Sequence, residues 1–434
     1  MSPLTIGLIG IGVLFVLLFL KIPVGLVMAL VGAAGFFWIR GLDPTLGVLR
    51  TTPYTTFASY GLSIIPLFIL MGTFCFFAGI SEDLYAATYT WLSRFRGGLA
   101  MATVAACAGF AAVSGSSLAT AATMGKVALP EMKRYGYDKG LAAGAVAAGG
   151  TIGILIPPSV ILVIYAILTE QSIGRLLLAG FIPGVLEAVF YFITIYILCK
   201  RNPQMGPAGP ATSFRDKVVA LKGVWMILVL FVVVMGGIYF GVFSPTEAAG
   251  IGAFGAFIFL LARRRLTWQV LKDSLVDTGK TTAMIFLIMM GAMIFGYFLA
   301  VSRLPFEMAG YIVRLGVHPN LVLALILVFY LLLGCLMDSL AMILITVPVF
   351  FPVITALGFD PIWFGIIIVR VCEIGLITPP VGLNVYIIKG IAGEDTPLFT
   401  IFRGIVPFLI ADICHVSLLI ALPQLVLFLP THMF

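Results

Sequence analysis

Charge is scarce in this sequence. Asp, Glu, Lys and Arg make up 10% of its 434 residues, against about a quarter in soluble domains. That shortage excludes both an ordinary water-soluble globule and a disordered chain. Histidine is nearly absent, and His318, His415 and His432 have no ligand spacing. The six cysteines (Cys75, Cys107, Cys199, Cys335, Cys372, Cys414) include no CxxC pair, so neither a zinc site nor a disulfide framework is indicated. No Lys or Arg precedes Lys21, so the N-terminus lacks the basic region of a cleaved signal peptide and reads as a retained first helix. What is abundant is apolar: 62% hydrophobic residues and a mean hydropathy of +1.18. The chain is an all-α polytopic membrane protein. Its net charge of +7 then serves membrane topology and does not imply nucleic acid.

Uninterrupted stretches long enough to cross a bilayer lie near 4–20, 23–39, 62–79, 174–198, 223–242, 246–262, 281–300 and 401–428. Two more, about 139–168 and 361–388, are broken by Pro157-Pro158 and Pro379-Pro380 with glycines around them. Two others, about 98–131 and 320–356, are apolar but polar in the middle, at Ser114-Gly115-Ser116-Ser117 and at Asp338-Ser339. These read as hairpins that enter the bilayer and return.

The oddities come in pairs. The two Pro-Pro pairs are 222 residues apart, and the same displacement carries Gly153 onto Gly375, Ser117 onto Ser339, Pro130 onto Pro352 and Pro23 onto Pro245. At 224, Pro183 meets Pro407. So many special residues in one register indicate a duplication, with repeats at 1–200 and 223–434 and a Pro/Gly-rich linker at 201–222. If that linker is cytoplasmic, 18 of the 25 Lys and Arg fall on the cytoplasmic side, as the positive-inside rule requires. Each repeat then has about five crossings, one re-entrant hairpin and one broken helix. The odd number of crossings inverts the second repeat and leaves both termini periplasmic. Inverted repeats with matched broken helices mark a secondary transporter.

Irregular backbone inside a bilayer is tolerated only where protein or a watery cavity surrounds it. The tips and breaks are therefore the expected site. Freed carbonyls, serine hydroxyls and one carboxylate suit a hard cation, and half-helix N-termini favour an anionic group. The substrate-facing candidates are Ser116, Asp338 and Arg370, with Pro158 and Pro380 at the breaks. Arg370 and Glu373 lie one helical turn apart, so Arg370 either binds a substrate anion or forms an ion pair with Glu373. The small-residue run Gly140–Gly150 is assigned to close helix packing. The amphipathic stretch Leu266–Lys280, with 44–60, is expected to lie along the membrane surface as a bracing arm. The five tryptophans, Trp38, Trp91, Trp225, Trp268 and Trp363, fall near predicted helix ends as interfacial anchors.

Three segments, Gly150–Ser159, Phe243–Ala249 and Glu373–Asn384, resemble the DctM-like large membrane subunit of tripartite ATP-independent periplasmic (TRAP) transporters. The resemblance runs over essentially the whole chain. It implies an elevator-type transporter in the bacterial inner membrane, taking up small organic acids (carboxylates or sulfonates) with Na+. It also implies two partners, a small four-helix membrane subunit (DctQ-like) and a periplasmic substrate-binding protein (DctP-like). The chain begins directly at the large subunit, so the small one is expected as a separate polypeptide. By the same resemblance, one sodium site takes Ser114, Ser116 and Ser117 with backbone near Gly153. The other takes Asp338 and Ser339, backbone near Gly375 and the Thr378 hydroxyl, and Asn384 closes it. Arg370 departs from the family pattern, in which that position is usually uncharged. Two other readings compete: a stand-alone ion-coupled anion transporter of a related inverted-repeat family, and an intramembrane enzyme. The second lacks a histidine beside the hairpin serines or a second aspartate beside Asp338.

Overall fold

The computed structural model describes residues 1–210 and 212–433, and every regular element among them is helical. The first half contains α1 (Pro3–Phe19), α2 (Val24–Arg40), α3 (Leu42–Phe57), α4 (Ile64–Phe77) and α5 (Ile80–Leu92). The first hairpin follows, α6 (Gly98–Ser114) and α7 (Ser117–Arg134), then the broken helix α8 (Lys139–Thr151) and α9 (Val160–Thr169), then α10 (Ile173–Arg201). The second half runs α11 (Phe214–Tyr239), α12 (Pro245–Ala262), α13 (Trp268–Ser302) and α14 (Leu304–Arg314). Its hairpin is α15 (Pro319–Gly334) and α16 (Ser339–Ala356), and its broken helix is α17 (Pro361–Gly375) and α18 (Leu383–Ala392). Two more helices, α19 (Leu398–Ala421) and α20 (Gln424–Thr431), complete the chain. Among the described residues, seven helices are long and apolar enough to cross a membrane.

Helix bounds recur at the displacement read from the sequence: α7 starts at Ser117 and α16 at Ser339, α8 at Lys139 and α17 at Pro361. Contacts between the halves recur too. Helix α2 packs along α13 and α12 along α4; α7 meets α18 and α16 meets α9; α8 meets α19 and α17 meets α10. Local chemistry sets the starts. Asp138 and Asp360 cap α8 and α17 by accepting from backbone N–H groups of the first turn. Ser244 and Glu247 form a capping box at α12, with Ser244 N–H donating to Glu247 Oε2 at 2.8 Å, which accounts for the Ser-Pro-Thr-Glu motif.

The small-residue run packs as expected. Gly140–Thr151 is entirely buried, and a Cβ on Gly144 would stand 2.5 Å from the Gly404 carbonyl oxygen of α19. Two expectations are corrected. Leu266–Lys280 is no separate helix: from Trp268 it is the first 13 residues of the 35-residue α13, which continues unbroken into the apolar stretch. Nothing in 268–302 interrupts the backbone ladder, whereas its counterpart is split between α3 and α4 by a short 3-10 turn at Tyr60–Ser63. Trp363 is no lipid-facing anchor either. It is 3% exposed and its Nε1–H donates to the Leu419 carbonyl at 3.1 Å.

The linker is docked against the open end of the first hairpin. Gly97 N–H donates to Gly206 O at 2.8 Å, Asp138 N–H to Met205 O at 2.9 Å, and the Tyr137 hydroxyl to Pro207 O at 3.0 Å.

Candidate transport site

Both hairpin tips reach one cavity. Helix α6 ends in Gly115, whose φ of +59° is left-handed, a conformation glycine adopts without a Cβ penalty. Ser116 then caps α7, its Oγ accepting from Ala119 N–H at 3.4 Å, and the Ser114 and Thr120 hydroxyls bond across the tip at 2.8 Å. At the corresponding place in the other half, Asp338 caps α16, its Oδ1 accepting from Ala341 N–H at 2.8 Å.

The breaks stand directly behind the tips. A Cβ on Gly153 would meet Thr120 Oγ1 at 3.1 Å and the Ser116 carbonyl at 3.4 Å. On Gly375 it would meet the Gly334 Cα at 2.5 Å. Each glycine therefore lets a break press against its own half's hairpin. The Pro158 carbonyl likewise lies against Gly115, 2.7 Å from where its Cβ would be. The Pro157–Pro158 and Pro379–Pro380 bonds are both cis.

The cavity, of about 520 Å³, is lined by Ser114–Ala119 of one tip and Asp338–Leu340 of the other, with Ile154 and Leu376 from the two breaks. It continues along α4 at Thr73, Phe76 and Phe77 and along α13 at Asp277 and Thr281. Its size is that of a small-molecule site. Of the sequence-predicted residues, Ser114, Ser116, Ser117, Asp338 and Ser339 line it, with Gly153, Gly375 and Pro158 packed immediately behind the tips or against them. Three others lie elsewhere. The half-buried Thr378 donates its hydroxyl to its own helix at Ile374 O, 2.6 Å away. Pro380 is exposed and outside the lining. Asn384 is buried and donates across to Ala147 O of α8 at 3.3 Å. Among the described residues no three His, Cys, Asp or Glu side chains gather at metal-binding spacing. The donors at the tips are hydroxyls and carbonyls plus one carboxylate, a set that fits a hard cation.

Arg370 is corrected on both expected counts. It is fully buried and outside the cavity, and its partner is not Glu373. Its Nη1 pairs with Glu187 Oε1 of α10 at 3.1 Å and its Nη2 with Asp412 of α19. Its Nε–H donates to His415 Nδ1 at 3.3 Å, which makes Nδ1 the unprotonated nitrogen of a neutral imidazole. The Tyr191 hydroxyl lies 3.3 Å from Nη2, and Thr151 donates to Glu187 Oε1 at 2.9 Å. The cluster joins α8, α10, α17 and α19 into one body; Glu187 and Asp412 went unnoticed in the sequence, and His415 was given no role there. The available signal was that each sits inside a long apolar run, where ionisable residues are rare.

Two hairpins and two interrupted helices converging on one cavity inside an all-α membrane bundle define a secondary transporter. The profile of the family described as "Tripartite ATP-independent periplasmic transporter, DctM component" matches residues 11–425. The chain is 38% identical to the C4-dicarboxylate TRAP transporter large permease protein DctM of Pseudomonas aeruginosa, over 90% of this chain and 93% of that one. It is 35% identical to the isethionate TRAP transporter permease protein DctMQ of Oleidesulfovibrio alaskensis, over 78% of this chain and 53% of that longer protein. Its fold is similar to that of the Alcanivorax borkumensis YdaH transporter, with a TM-score of 0.64 at 14% identity, covering 88% of this chain and 89% of that one. This chain belongs to the DctM family of TRAP transporter large permeases. It is a multi-pass protein of the bacterial inner membrane and a transporter, not an enzyme.

Proposed function

We propose that the chain carries a small organic acid, a carboxylate or sulfonate, inward across the inner membrane in symport with Na+. The observation that carries this reading is the convergence of both tips on one cavity with hydroxyls, a carboxylate and two helix N-termini at its surface. The first residues of α7 and α16 bring N–H dipoles to the place where an anion would sit. The oxygen-rich tips suit sodium: Ser114, Ser116 and Ser117 with backbone near Gly153 on one side, Asp338 and Ser339 with backbone near Gly375 on the other. The names of the relatives, one for C4-dicarboxylates and one for isethionate, favour the same substrate class.

In this reading a periplasmic binding protein delivers the solute, and a small membrane subunit of the DctQ kind braces the fixed frame. The two repeats are inverted, both termini are periplasmic, and the linker is cytoplasmic. Movement is of the elevator type. The hairpins, the broken helices, α10 and α19 travel together, held by the Arg370 cluster, against a frame that includes α2, α4, α12 and α13. In this orientation Phe76, Phe77 and Asp277 of the cavity lining lie toward the cytoplasmic side.

The test is uptake of radiolabelled organic acids into proteoliposomes that hold both membrane subunits, with the binding protein outside. Uptake is expected to require an inward sodium gradient. Equal uptake with potassium in place of sodium contradicts the coupling.

A further inference from the structure

Glu373 has no assigned role in the reading above, yet its placement is unusual. It lies on α17 and is completely buried. Its Oε1 accepts the Ser339 hydroxyl at 2.7 Å. Ser339 and Ser117 occupy the same register, as the first residues of α16 and α7. The carboxylate therefore stands behind the second tip, whose Ser339 lines the cavity. Its Oε2 has no partner, and no Lys, Arg or His among the described residues pairs with it. The nearest arginine along its helix, Arg370, is held by Glu187 and Asp412.

A buried carboxylate with one oxygen unsatisfied and no cation is strongly disfavoured. The N-terminus of α16 reduces the cost without cancelling the charge. The duplication offers no counterweight, since the register partner of Glu373 is the uncharged Thr151. Either a proton on the carboxyl or a small hard cation at the tip completes the arrangement, and the hydroxyls and carbonyls of the tip favour the cation.

We propose that Glu373 is a cation-binding residue of the second tip: its carboxylate supplies the buried negative charge for the sodium ion held there with Ser339. The inference rests on the sodium reading given above. Asp338 then acts on that tip from the cavity side, while Glu373 acts on it from behind. Loss of its charge weakens sodium binding even when no organic acid is present.

The experiment uses the full chain in lipid nanodiscs and follows thermal unfolding while NaCl replaces KCl at constant ionic strength. The wild-type chain is expected to be stabilised by sodium specifically. Glu373→Gln keeps an acceptor for Ser339 but removes the charge, and it should need at least about tenfold more sodium for the same stabilisation. Glu373→Asp should fall between the two. A Glu373→Gln variant that titrates like the wild type overturns the proposal while leaving sodium coupling intact. If the wild-type chain shows no sodium-specific stabilisation, the sodium reading fails and this proposal fails with it. Should Glu373→Gln not fold, sodium-minus-potassium infrared difference spectra of wild-type chain labelled with 13C-glutamate decide the matter. A shifted carboxylate band from a buried glutamate is expected, and glutamate bands unchanged by sodium overturn the proposal.

Discussion

The Arg370 cluster makes a prediction whose sign follows from counting charge. One guanidinium faces two carboxylates, and His415 is neutral because its Nδ1 accepts a hydrogen bond, so the cluster is formally one negative charge in excess. Arg370→Gln strands both Glu187 and Asp412 without a cation. Removing one partner of a buried ion pair costs about 3–5 kcal/mol. Asp412→Asn leaves the Arg370–Glu187 pair in place and brings the cluster to neutrality. It loses one charge-assisted bond, worth about 1.5–3 kcal/mol, and relieves part of that loss by removing the excess charge. The arginine substitution should therefore be the more damaging by at least about 1 kcal/mol. Replacing all three together (Arg370→Met, Glu187→Gln, Asp412→Asn) leaves no uncompensated charge and should be milder than Arg370→Gln alone. Thermal inactivation in nanodiscs reads this as a rate. If the full cost appears in unfolding, Arg370→Gln shortens the half-life by roughly two to three orders of magnitude. An Arg370→Gln variant as durable as Asp412→Asn, or a triple variant worse than Arg370→Gln, refutes the reasoning.

Other expectations follow from single contacts. Asp338→Asn keeps an acceptor for the α16 cap and should cost little stability while losing sodium-driven uptake. Asp338→Ala loses the cap as well, for about 1 kcal/mol more, readable as a lower unfolding midpoint. Gly375→Ala sets a methyl 2.5 Å from the Gly334 backbone, so it should separate hairpin from break, cost about 1–3 kcal/mol and abolish uptake. Gly144→Val drives a branched side chain into the Gly404 carbonyl and should cut the yield of folded protein more than Gly12→Val, where the added atoms meet open space within a helix.

The architecture was legible because membrane-embedded backbone has few ways to be irregular. Prolines and glycines at matched positions announced the breaks, and serines in apolar surroundings announced the tips, before any contact was known. Side-chain partnerships across the bundle were not legible. Arg370 and Glu373 are three apart on one helix, which suggests a pair, but side chains at that spacing still point about 60° apart. Here one is drawn to α10 and α19 and the other to the tip of α16. Glu187 and Asp412 are 183 and 42 positions from Arg370, and no local pattern links them. The continuity of α13 went unread for a related reason: its first third is polar and amphipathic, and the change to apolar composition near 281 does not interrupt the helix.

The most direct test of the central claim is simultaneous flux of 22Na+ and labelled organic acid in proteoliposomes, wild type against Asp338→Asn. The two fluxes should rise together in the wild type and fall together in the variant. Organic-acid uptake that persists in Asp338→Asn, or that proceeds in the wild type without sodium entry, would contradict the account.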